Sequence, residues 1–210
     1  MIPLMHDFDG ECVLVFGGGS VGARKARRFA AEAHVVVVSP RFEADSFGGA
    51  ELIRAAPTPE SVEEWLTRIE PALVVAATDD PELNAAIDDA ASERGILRNR
   101  ADESGERDVG SVVVPATVRD DPVVVSVSTG ATSPVVSRHL RQELATAIEG
   151  AGQMAALTGS LREELTGPDR RAALRAVVSS DAVWKALDTE GTNPRQVATD
   201  VIADVTGESV

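Results

Sequence analysis

The sequence predicts an α/β chain: a parallel sheet covered by helices, followed by a small all-helical unit. Three observations predict it. From Glu11 to about Asn99, apolar runs alternate with helical patterns, as they do where helices cover a parallel sheet. The first apolar run, Cys12-Val13-Leu14-Val15-Phe16, leads directly into a glycine-rich turn, GGGSVGARKA, that opens a helical pattern. From Pro134 onward the chain reads as helices alone, with breaks near Gly150-Ala151-Gly152, at Gly167-Pro168 and at Gly191-Thr192-Asn193-Pro194.

The strand candidates of the first part are Cys12–Phe16, Val35–Val38, Glu51–Arg54, Leu73–Ala77 and Ile96–Asn99. Its helix candidates are Val21–Glu32, Pro59–Ile69 and Pro81–Arg94. Thr58-Pro59-Glu60 and Asp80-Pro81-Glu82 put proline at the first helical position, and Gly95 fits a helix stop. Two further strands are expected at Ser111–Pro115 and Val123–Ser128, joined by Arg119-Asp120-Asp121-Pro122. The later helices are expected at Val135–Ile148, Gln153–Leu165, Asp169–Leu187 and Pro194–Val205. The expected organisation is a nucleotide-binding α/β domain over 1–110, a strand-and-helix connector over 111–149 and a helical domain over 150–210.

The glycine turn carries the chemistry. Gly17, Gly19 and Gly22 form GxGxxG between a strand and a helix, the context that marks a dinucleotide-binding turn. Gly17 permits the tight turn, Gly19 lets a pyrophosphate approach the backbone, and Gly22 lets the helix lie close to the strand. Free N–H groups from Ser20 and Val21 onward face the phosphates, aided by the helix dipole.

Charge sets limits on the partners. The chain of 210 residues carries 34 acidic and 20 basic residues, a net charge of −14, and its only lysines are Lys25 and Lys185. Nucleic acid, which needs a basic face, is excluded as a general partner. The acidic, lysine-poor composition argues for a halophilic source. No apolar stretch approaches the roughly 20 residues of a membrane span, so no membrane partner is expected. Met1–Asp7 lacks the basic start and apolar core of a secretory leader, which points to the cytoplasm. The lone Cys12 is expected to be a small core hydrophobe. His6, His34 and His139 have no metal-ligand spacing, and no metal site is expected.

Four blocks recur together in one known family: GGGSVGARKARRF, AATDDPELN at Ala76–Asn84, NRAD at Asn99–Asp102, and VSVSTGATSPVVSRHLR at Val125–Arg141. In that order and spacing they resemble the precorrin-2 dehydrogenases of sirohaem biosynthesis, over about residues 8 to 145. The resemblance implies a Rossmann domain, a dimerisation region at 111–149 and a helical carboxyl-terminal domain, assembled as a homodimer. It implies NAD as cofactor and precorrin-2, oxidised to sirohydrochlorin, as substrate. Some members also insert ferrous ion into sirohydrochlorin, and whether this chain does so stays open.

The resemblance makes Asp102 the catalytic base; read without it, Asp102 reads first as a solvated loop acid in a polar turn. It makes Ala77, Thr78, Asp79 and Asn84 cofactor neighbours, whereas Asp80 reads as a helix cap. Asn99 closes the fifth strand, where its amide reaches the nicotinamide or satisfies loop backbone. The second strand ends Val38-Ser39-Pro40-Arg41, without the acid that usually meets the ribose. Ser39 takes that place for NAD, which the family favours; Arg41 would instead meet the 2′-phosphate of NADP.

Ser128, Thr129, Gly130 and Thr132 form a hydroxyl-rich turn suited to substrate carboxylates, with Ser133 as the cap of the following helix. A tetrapyrrole with eight carboxylates also calls for arginines. Arg98, Arg100, Arg107, Arg119, Arg138 and Arg141 are the candidates, and Arg138 and Arg141 share a helix face. Two other functions compete. A nucleotide-sensing regulatory module would begin with the same turn but lack the Val125–Arg141 block. A chelatase that has lost dehydrogenation would insert metal without binding NAD.

Overall fold

A computed structural model describes residues 2–101 and 110–207. The described chain divides into two compact units, 1–114 and 115–210.

The first unit is built on five parallel strands in the order β3-β2-β1-β4-β5. They are β1 (Cys12–Phe16), β2 (His34–Ser39), β3 (Glu51–Arg54), β4 (Leu73–Ala76) and β5 (Leu97–Arg100). Val13, Leu14, Val15 and Phe16 are fully buried, as are Val37, Val38, Val74 and Val75. Such unbroken apolar runs belong to strands covered on both faces. On one face Leu14, Phe16, Val36, Val38 and Val74 meet Leu66, Leu83 and Ile87. On the other, Val13, Val15, Val35, Val37 and Val75 meet Ala23, Ala26 and Phe47. Each fully buried large aliphatic stabilises the fold by about 1.5–3 kcal/mol.

The helices of this unit are α1 (Ser20–Phe29), α2 (Val62–Ile69) and α3 (Pro81–Glu93), with a 3₁₀ turn at Pro59–Ser61 before α2. α3 starts where it does because the Asp80 carboxylate accepts from the N–H groups of Glu82 (2.9 Å) and Leu83 (3.2 Å), with proline next in line. Strand order reverses between β1 and β4, which makes their carboxyl ends the ligand crevice of an open α/β sheet.

The second unit pairs β6 (Ala116–Asp120) with β7 (Val123–Val127) as an antiparallel hairpin, and adds five helices among the described residues. These are α4 (Pro134–Ala147), α5 (Ala151–Glu164), α6 (Arg170–Ser179), α7 (Asp181–Asp188) and α8 (Pro194–Thr206). Met154, Leu161, Ala173, Val177, Val183, Ala198 and Ile202 form its core. α5 closes on the hairpin because Gly152 has no side chain: its N–H donates to Asp120 Oδ2 (2.9 Å), and a Cβ there would strike the carbonyls of Asp120 and Asp121.

Two sequence expectations fail here. Ser111–Pro115 is not a strand; it meets β5 through the Arg98–Ser111 bridge, the Val112 N–H on the Arg98 carbonyl (2.8 Å) and the Asn99 amide on the Val112 carbonyl (2.7 Å). The strand is Ala116–Asp120 instead, because the two-residue turn Asp121-Pro122 sets the register from Asp120 opposite Val123 to Ala116 opposite Val127. The single helix expected at Asp169–Leu187 is two, broken at the extended Ser180. Trp184 Nε1 donates to the Val178 carbonyl (2.8 Å) and fastens α7 back on the end of α6.

Candidate dinucleotide site

The turn after β1 is shaped by what its glycines lack. Gly17 has φ of 122°, and a Cβ there would collide with the Ala77 carbonyl at the end of β4. A Cβ on Gly22 would collide with the Gly17 carbonyl oxygen, so α1 can lie this close to β1 only without one. Gly19 differs: a Cβ there meets nothing within 4 Å. Its bareness serves no packing need. It leaves backbone open at the start of α1, whose first N–H groups have no intrahelical acceptor. No acidic side chain stands in that first turn, and no side chain caps it. Such a cradle fits a pyrophosphate.

Ala77 and Thr78 stand across the crevice from the glycines, and Ala77 N–H donates to the Phe16 carbonyl (2.9 Å). Asn84 is 1% exposed and points its amide inward. Its Oδ1 accepts from Thr78 Oγ1 (2.7 Å) and Thr78 N–H (3.2 Å), and its Nδ2 donates to the Thr78 carbonyl (3.1 Å). Asn84 is thus the brace of the Thr78 loop. Asp79 is exposed beside it.

Asn99 is also turned inward, at 3% exposure. Its Oδ1 accepts from Lys25 Nζ (2.8 Å) and its Nδ2 donates to the Val112 carbonyl (2.7 Å). Of the two readings open for this amide, satisfying loop backbone is the one its bonds match. In sequence Lys25 stands out only as one of two lysines and not as a site residue; its signal was a rare lysine on the helix that follows the glycines. Ser39 is buried, with its Oγ donating to the Arg41 carbonyl (2.7 Å). Asp102 and Arg107 lie outside the described residues.

In the second unit, the turn from Ser128 to Ser133 satisfies itself. Gly130 N–H donates to Ser128 Oγ (3.3 Å) and Ser133 N–H to Thr129 Oγ1 (3.3 Å). Thr129 Oγ1 also lies 3.0 Å from Ser137 Oγ, and Ser133 Oγ caps α4 at Val136 N–H (3.4 Å). Gly130 and Ala131 both have positive φ, at 60° and 63°. Thr132, Arg138, His139 and Arg141 are exposed. Arg98 is not a surface arginine: it is 7% exposed and paired with Asp88 at 3.1 Å.

The Cys12 thiol, half-buried at the start of β1, is pushed up by burial and then by the nearby Glu51 carboxylate. Among the described residues, no group of three or more His, Cys, Asp or Glu gathers at a metal-sized site, and no helix is long and apolar enough to cross a membrane.

Strand order, crevice and glycine turn define the class: a dinucleotide-binding α/β protein of the Rossmann type. Comparison with known proteins agrees. Residues 4–116 match the family described as "Putative NAD(P)-binding". The chain is 34% identical over 202 residues to a precorrin-2 dehydrogenase of Methanosarcina barkeri, covering 89% of this chain and 86% of that protein. It is 38% identical over 173 residues to a siroheme synthase of Pseudomonas paraeruginosa, covering 78% of this chain. That match takes in only 35% of the siroheme synthase, so the chain corresponds to about a third of such relatives. Among solved structures, SirC, a precorrin-2 dehydrogenase, shares the fold at a TM-score of 0.70 and 20% identity, over 97% of this chain and 100% of that one. The chain belongs to the precorrin-2 dehydrogenase family.

Proposed function

We propose that this chain oxidises precorrin-2 to sirohydrochlorin with NAD as hydride acceptor. The observation that carries the reading is the open backbone at Gly19, set at the carboxyl ends of β1 and β4 in a member of this family. NAD supplies the acceptor for the hydride, and the chain must orient it and remove one proton. Gly17, Gly19 and Gly22 with the N–H groups of Ser20 and Val21 hold the pyrophosphate. Ala77, Thr78 and Asp79 border the nicotinamide half, while Asn84 and Asn99 fix the loops that border it.

Asp102 follows β5 by two residues in the sequence and accepts the proton. Thr132, Arg138 and Arg141 meet the carboxylates of the tetrapyrrole; Ser128, Thr129 and Gly130 set the shape of the turn that presents them. The chain acts in the cytoplasm as a homodimer through 111–149. In support, α4 buries none of its residues and exposes Val135 (79%), Val136 (46%) and Leu140 (40%). Its net charge of −14 suits a high-salt interior.

The test is an anaerobic assay in high salt with enzymatically made precorrin-2 and NAD. NADH appearing together with the sirohydrochlorin spectrum supports the reading, and ferrous ion added afterwards tests chelation. Folded protein that binds NAD without turnover would point to the sensor module instead. Asp102→Asn is expected to lower turnover by about 10²–10⁴-fold while NAD affinity holds.

A further inference from the structure

We propose that the adenosine-ribose end of this site accepts a 2′-phosphate, with Arg41 as its principal partner, so that the protein binds NADP as well as NAD. The inference rests on the dinucleotide reading above and concerns only the end of β2.

In dinucleotide folds, a carboxylate at the end of the second strand binds the ribose hydroxyls and repels a 2′-phosphate. Here that position is Ser39, and its hydroxyl is already engaged: Oγ donates to the Arg41 carbonyl at 2.7 Å and lies 3.4 Å from the Arg41 N–H. The chain after β2 thereby folds back onto the glycine turn. A Cβ on Gly18 would collide with the Arg41 carbonyl oxygen and fall 2.8 Å from Ser39 Oγ. Arg41 therefore has its backbone against the phosphate turn itself, and the residue is exposed.

A second guanidinium stands at the same strand end. Arg54 lies opposite Ser39 in the β2–β3 register, donates from Nη1 to the Pro40 carbonyl at 3.2 Å, and sits 5.6 Å from the centre of the Phe42 ring. These contacts hold it in place. Guanidinium forks match phosphate oxygens, and two at one strand end make a local positive patch in a chain of net charge −14. The nearest acid in sequence is Glu43, which is exposed and whose backbone N–H donates to the Gly18 carbonyl (3.0 Å). Glu43 is the group that would oppose a 2′-phosphate.

Calorimetric titration of the full chain with NAD and with NADP, at one fixed salt concentration, tests the assignment. NADP is expected to bind within about tenfold of NAD. Arg41→Ala, at an exposed position that does not endanger folding, should weaken NADP by about tenfold or more and NAD by less than about threefold, the size of a lost charge-assisted contact. Arg54→Ala should act in the same direction and less, and Glu43→Gln should tighten NADP alone. NAD binding with NADP about a hundredfold weaker would overturn the inference, as would an NADP-to-NAD ratio unchanged by Arg41→Ala. If neither nucleotide binds the folded protein, the dinucleotide reading itself falls.

Discussion

Two turns in this molecule look alike in sequence and behave differently in structure. GGGSVG follows β1 and opens α1; STGATS follows β7 and opens α4. Both offer small residues and a helix start. In the hydroxyl turn, Ser128, Thr129 and Ser133 accept the N–H groups of Gly130, Ser133 and Val136, so its polar groups mostly serve one another. At the glycine turn no side chain caps the helix start. Its N–H groups at the start of α1 stay outward, and the bare Gly19 keeps the approach to them clear. Small residues close a turn on itself when they carry hydroxyls and open it to a ligand when they carry nothing.

The largest effect should come from breaking the glycine turn where it packs. Gly22→Val forces side-chain atoms into the Gly17 carbonyl, and backbone cannot yield as a side chain does. We expect a loss of about 3 kcal/mol or more, seen as a lowered denaturant midpoint together with lost NAD binding. A midpoint within error of the wild type would mean that α1 does not need this close approach.

Next is the support behind the turn. Asn99→Leu leaves Lys25 Nζ without its Asn99 acceptor and the Val112 carbonyl without its Asn99 donor, at a cost of about 1–3 kcal/mol. A double-mutant cycle with Lys25→Met should show the two residues to be coupled, and additive losses would argue against the bridge.

The hydroxyl turn should respond more mildly. Ser133→Ala removes a cap bond of 3.4 Å and should cost about 0.5–1 kcal/mol in thermal or chemical unfolding, with NAD affinity untouched. A larger loss would show that the cap fixes more than the first turn of α4. Smallest of all is Cys12. Its raised pKa keeps the folded thiol protonated, so alkylation at pH 8 should be slower than in urea-unfolded protein. Equal rates would show that neither burial nor Glu51 shields it.

Much of the first unit was legible in sequence, because the relevant signals there are local. An apolar run, a GxGxxG turn and a helix stand in one stretch from Cys12 to Phe29, and Pro81 marks its helix start as expected, as Pro134 and Pro194 do in the second unit. What was not legible depends on partners distant in sequence. In sequence Asn84 reads as a cofactor neighbour on a helix and Asn99 as an amide at a strand end, and only Thr78, Lys25 and Val112 reveal that they face inward. Val112–Val114 has strand composition, yet the register counted from Asp121-Pro122 assigns the pairing to Ala116–Asp120. Ser180 breaks a helical pattern because α6 and α7 bury Val177 and Val183 in one core from two directions.

The central claim, that the bare Gly19 is kept open for a dinucleotide, is tested most directly by titrating NAD into the wild type and Gly19→Val while melting both. A Cβ has open space at this position, so the two proteins should melt within about 2 °C of each other, as for a surface change within about 0.5 kcal/mol. The wild type should bind NAD saturably, and Gly19→Val should bind it at least about tenfold more weakly, the branched side chain filling the phosphate's place. Undiminished NAD affinity in a normally melting Gly19→Val would contradict the account.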